Sequence, residues 1–97
     1  MVELARLRAA IRAQRRLDIV YADAAGRRSR RVIWPVQIVF MDSAHVLAAW
    51  CELRQAFRTF RTDRILGAVE GARYPANRAE LMRCLHGHLG LSARADC

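Results

Sequence analysis

The chain has 97 residues, 54% of them hydrophobic and 27% charged, which suits one domain and is too short for two independent cores. That balance argues against disorder, and the longest uncharged stretch, Val32 to Met41, falls far short of the roughly 18 residues a membrane span needs. A globular, soluble chain without membrane contact is expected. Charges at Glu3, Arg6 and Arg8 interrupt the start before any signal-type apolar run develops, so the expected location is cytoplasmic. The formal net charge is +8, and every one of the 17 basic residues is arginine. Nine of them lie in residues 1–31 against only Glu3, Asp18 and Asp23. Guanidinium groups fork onto phosphate or carboxylate and stack on flat rings, so this asymmetry reads either as a footprint for a polyanion or as a solubilising surface.

Residues 2–14 are predicted to be a helix with Leu4, Leu7 and Ile11 as its apolar stripe. Arg8, Arg12 and Arg16 follow one another at spacings of four along its flank. Continuing past Gln14 would rotate Arg15 into the stripe, so the helix ends there. Leu17, Ile19 and Tyr21 then alternate with Asp18, Val20 and Ala22 as in a strand, and Asp23 to Arg28, with Gly26, forms a turn. The next strand runs from Ser29 to Met41. Val32, Trp34, Val36, Ile38 and Phe40 share one parity and are expected to face the core, with Pro35 marking a bend or bulge.

After a turn at Asp42 and Ser43, His45 to Leu53 form a strand that is apolar on both faces. Arg54 and Gln55 turn the chain into a strand at Ala56 to Arg61, and Ile65 to Glu70 supply the last. Asn77 and Glu80 are placed as N-cap and N3 of a second helix, with Leu81, Cys84, Leu85 and Leu89 on its apolar face and a fraying tail from Ser92. The expected fold is mainly β with flanking helices: a small curled barrel carrying an N-terminal and a C-terminal helix. Residues 1–75 would form the barrel with its leading helix, and residues 76–97 a helix and tail packed on the same domain.

Little in the chain points to catalysis. The five glycines form no phosphate-binding fingerprint, the acids are dispersed, and none of the three serines has a nucleophile-elbow setting. Cys51, Cys84 and Cys97 contain no C-x-x-C pair. Cys84 and His88 could share a helical face with His86 nearby, yet no second ligand pair completes a zinc site, so no metal, no cofactor and no enzymatic activity are expected. The distinctive segment is Arg54 to Ile65, where four arginines interleave with Phe57 and Phe60. Arg54, Arg58 and Arg64 share parity on an extended chain, although a bend before Asp63 would break the alignment. Arginines and aromatics on a curled sheet make a receptor for phosphates and stacked bases; alternatively the phenylalanines are core and the arginines are solvated or paired to Asp63 and Glu52.

Several blocks in order resemble the WYL-domain family of bacterial regulators. They are L-D-I-V-Y at Leu17 to Tyr21, R-V-I-W-P at Arg31 to Pro35, H-V-L-A-A-W-C-E-L-R at His45 to Arg54, and R-x-F-x-x-x-R-I at Arg58, Phe60, Arg64 and Ile65. The resemblance covers roughly residues 4–70 and implies an Sm-like or SH3-like barrel that senses a ligand for a transcription regulator. It further implies that single-stranded DNA, RNA or a nucleotide binds a basic face to which Tyr21, Arg54, Arg58 and Arg64 belong. His45 completes the expected set, at the first place of the W-Y-L tripeptide. That tripeptide is His45, Val46 and Leu47 here, so the usual aromatic wall is missing.

Family members commonly carry a helix-turn-helix, for which this sequence has no room; a stand-alone sensor or an excised module is expected, with DNA reading left to a separate partner protein. A homodimer or a protein-interaction module is the second expectation. It rests on the apolar second strand face around Ile33, Val39, Val46 and Trp50.

Overall fold

The computed structural model describes residues 2–88, with side chains described as far as Leu85. Helix α1 spans Leu4–Ala13, and strands β1 to β5 span Arg15–Ala22, Arg28–Met41, Ala44–Cys51, Ala56–Arg61 and Ile65–Arg73. A 3-10 turn at Thr62–Arg64 joins β4 to β5, and helix α2 spans Arg78–His88. The helix α1 stops where the sequence pattern requires. Gln14 adopts a left-handed conformation (φ 54°), and its N–H closes onto the carbonyls of Ala10 and Ile11. At α2 the Asn77 side-chain oxygen accepts from the N–H groups of Ala79 and Glu80 at 2.8 and 3.3 Å, which is the expected N-cap. Leu89, the tail from Ser92, and the side chains of His86 and His88 lie outside the described residues.

The strands form one antiparallel sheet in the order β4-β3-β2-β1-β5. Its inner face buries Leu17, Ile19, Ile33, Leu47, Phe60 and Ile65 against Leu7, Ala10 and Ile11 of α1. On the outer face, Val36, Ala48 and Phe57 pack with Leu85 of α2, flanked by Trp50, Leu81 and Met82. Two layers therefore sandwich the sheet, and α2 packs on Trp50 of the apolar outer face on which the dimer expectation rested. Ile33 belongs to the inner core, not to that outer face.

The sheet does not close into the expected barrel. β4 and β5 are its two outer strands and do not pair with each other. The 3-10 turn between them takes the chain out of extended geometry, and the backbone N–H of Arg61 donates to the Tyr21 hydroxyl at 3.1 Å instead of to a neighbouring strand. The Tyr21 ring packs edge-on against Phe60, with centroids 5.1 Å apart. Side chains, rather than a hydrogen-bonded ladder, link β1 to β4.

The common parity of Val32, Trp34, Val36, Ile38 and Phe40 does not hold either. Strand β2 bulges between Pro35 and Gln37, since Pro35 lies opposite Ala49 and Gln37 opposite Ala48. The extra residue, Val36, shifts the alternation by one place. Before the bulge Ile33 faces the inner core while Trp34 pairs with Trp50 outside; after it Ile38 pairs with Leu47 on the inner face and Phe40 ends exposed beside His45. The carbonyls of the bulge are satisfied from the segment entering α2: the Tyr74 hydroxyl donates to Pro35 O and Arg78 Nε to Val36 O, both at 3.2 Å.

Candidate ligand-binding site

Strand β4 positions the arginine-rich segment. Arg54 is exposed in the tight turn after β3, where Gln55 takes a left-handed conformation (φ 52°) and its side chain donates to Glu52 O at 2.7 Å. Arg58 lies opposite Ala49, two residues from Phe60, so it stands on the inner side of the sheet but at its exposed outer strand. Arg64 ends the 3-10 turn, half-buried. The three do not share one strand face, because Arg54 precedes β4 and Arg64 follows the bend. They are spread along β4 and the turns at its two ends.

Their charges are nonetheless available. Of the four arginines in the segment, Arg61 is taken: its guanidinium forks onto Asp63, with Nε and a terminal nitrogen at 3.0 and 2.7 Å from the two carboxylate oxygens. That hydrogen bonding raises the Arg61 pKa and lowers that of Asp63, and the charge of Arg64 lowers Asp63 further. Among the described residues, the side chains of Arg54, Arg58 and Arg64 make no hydrogen bond or ion pair. Glu52, the other acid near the segment, is occupied elsewhere. One of its oxygens accepts from Arg16 Nε at 3.1 Å and from Trp34 Nε1 at 2.7 Å, and the Arg16 guanidinium lies 5.7 Å over the Trp34 ring.

Tyr21 is half-buried and its hydroxyl already accepts the Arg61 N–H, so its place beside this strip is that of a brace between β1 and β4. His45, near the start of β3, has its ring 5.1 Å from that of Phe40; it lines one cleft next to α1 and another with Arg61 and Asp63, and neither contains Tyr21, Arg54, Arg58 or Arg64. Among the described residues no group of three or more His, Cys, Asp or Glu could hold a metal ion, and no helix is long and apolar enough to cross a membrane.

A five-stranded antiparallel module braced by two helices, with unpaired arginines along one outer strand, is the class of domain these observations define. A model of the WYL domain matches residues 3–70, and the chain belongs to the WYL-domain family. Helix α2 lies beyond the matched residues. Among solved structures the chain is similar to Proteasome accessory factor B/C (PafBC) of Arthrobacter aurescens, at 26% identity and a TM-score of 0.68. The likeness covers 73% of this chain and 12% of that one, so the present chain corresponds to a small part of that protein's length. No curated protein matches it.

Proposed function

We propose that this chain is a non-catalytic regulatory module that senses a phosphate-bearing ligand, single-stranded DNA or RNA or a nucleotide, for a transcription regulator. DNA reading would fall to a separate partner. The observation that carries the reading is the strip of three unpaired arginines, Arg54, Arg58 and Arg64, beside an Arg61 neutralised by Asp63. Membership of the WYL-domain family and the likeness to PafBC support a regulatory sensing role. Unpaired guanidiniums at an exposed strand are free to fork onto phosphates, and Tyr21 holds that strand in place.

The test is a titration of the full chain with short single-stranded and duplex oligonucleotides at several salt concentrations. With about three or four phosphates neutralised, the log-log salt slope for single strands is about −2 to −3. R58A or R64A weakens binding to all sequences alike and makes the slope shallower by about 0.7 per lost contact. Folded variants that bind as tightly as the parent at every salt concentration would refute the site.

The second reading is a protein-interaction or homodimerisation module. It is favoured by Leu66 and Val69 on β5, which are 41% and 68% exposed. Sedimentation at micromolar concentration would then show a dimer that V69D returns to an 11.1 kDa species.

A further inference from the structure

Two arginines of α1, Arg8 and Arg12, sit one turn apart on its exposed flank. Like charges at that spacing repel each other. Neighbouring arginines relieve their charge or donors on carbonyls or carboxylates: Arg6 on Ala68 O, Arg15 on Gly71 O, and Arg16 on Arg73 O and Glu52. Among the described residues, the side chains of Arg8 and Arg12 make no hydrogen bond or ion pair. Both line a cleft of about 400 Å³ between α1, the second half of β2 and the start of α2. Ile11 and Ile38 supply apolar lining, Phe40 and His45 an aromatic pair, and Arg78 a third guanidinium held in place by its Nε on Val36 O. Among the described residues, none lining the cleft is acidic.

This combination has a ligand chemistry. Three guanidiniums line one cleft with no carboxylate among its described lining residues, which favours a dianionic group such as phosphate. Phe40 is 66% exposed although its edge contact with His45 holds the ring at the cleft. An exposed ring beside clustered guanidiniums offers a stacking surface for a flat group attached to that phosphate. The volume lies within the range of small-ligand sites.

We propose that this cleft is a second binding site, for a nucleotide unit whose phosphate is held by Arg8 and Arg12 and whose base stacks on Phe40 beside His45. The site shares none of Arg54, Arg58 and Arg64, so it stands or falls independently of the strip along β4. A bulge in β2 and the docking of α2 bring its parts together.

Calorimetric titration of the full chain with adenosine monophosphate, adenosine and inorganic phosphate tests it. The monophosphate binds at least tenfold more tightly than either fragment. R8A/R12A weakens that binding tenfold or more, F40A reduces it to the level of inorganic phosphate, and R27A, an exposed arginine outside both sites, leaves it unchanged. R8K/R12K, which keeps the charge but loses the guanidinium fork, falls between parent and R8A/R12A. Both double variants alter exposed positions, and circular dichroism verifies that they fold. A parallel titration with oligothymidylate separates the sources of the ligand: tighter binding that depends on Arg8 and Arg12 marks a nucleotide within a strand, and binding of the monophosphate alone marks a free nucleotide. Equal affinity of the parent and R8A/R12A for the monophosphate, or a monophosphate no tighter than inorganic phosphate, would overturn the proposal.

Discussion

Tyr74 shows how one side chain joins layers of this domain. It is 3% exposed, stacks on Trp34 with centroids 5.5 Å apart and planes within 6°, and donates its hydroxyl to Pro35 O. Desolvation raises its pKa above the ordinary tyrosine value of 10.0, against the opposing pull of Arg78 and Arg73. The unfolded chain therefore loses this proton at lower pH than the folded one. The stabilisation is fully present below pH 10 and is lost as the pH rises through the folded value. Urea unfolding of the parent should show a midpoint that falls above about pH 10, and Y74F should show a smaller fall over the same range. At neutral pH Y74F should cost about 1 kcal/mol, the net worth of one buried hydrogen bond.

At the scale of elements, the β2 bulge decides which side chains reach which layer. Removing Val36 would take out the extra residue and leave Gln37 opposite Ala48 and Ile38 opposite Leu47, so both layers keep their strand partners while the outer core loses a buried side chain and Arg78 its carbonyl acceptor. A Val36 deletion is therefore expected to keep a cooperative unfolding transition by circular dichroism, at a lower midpoint than V36A, which keeps the carbonyl that Arg78 reaches and should cost about 1–3 kcal/mol. Helix α2 depends on one anchor in a similar way. Leu85 is fully buried among Val36, Ala48 and Phe57, so L85A should cost about 2–5 kcal/mol and shift tryptophan fluorescence to the red as Trp50 becomes wet. An unshifted spectrum would mean that the outer face is held by something other than α2.

At the scale of the whole molecule, two groups of arginines stand apart among the described residues. Arg6, Arg15 and Arg16 each donate to a carbonyl of β5, which blunts an outer strand that would otherwise invite pairing with another chain. Arg8, Arg12, Arg54, Arg58 and Arg64 have no such partner among the described residues. The expected result is a double dissociation. R6A and R15A should lower stability by about 0.5–1 kcal/mol each, as exposed hydrogen bonds do, with no specific loss of ligand. Ala at the unpaired positions should leave thermal stability nearly unchanged while weakening anion binding, and parallel melting and binding measurements check both halves.

How much of this was legible beforehand follows the range of the forces involved. Element order, the end of α1 at Gln14, the Asn77 cap, the bulge signal at Pro35 and the family blocks rest on residues close in sequence, and they could be read from it. Parity could not be carried across β2, because a single inserted residue inverts it and its position depends on β3 and on the carbonyl partners Tyr74 and Arg78.

For the candidate site, the arginine content of Arg54 to Arg64 was plain, but which arginine Asp63 would take was not. Nor could spacing show that Tyr21 braces β4 or that the strip lacks one common face. The regular spacing of Arg8 and Arg12 was visible as a helix flank with no assigned role. The sequence by itself determined the strands, the two helices and the excess of guanidinium charge. Only the tertiary structure decided that β4 and β5 stay apart and that Arg8, Arg12 and Arg78 line one cleft with Phe40, because both depend on contacts between residues some 30 to 70 positions apart, which no local pattern encodes.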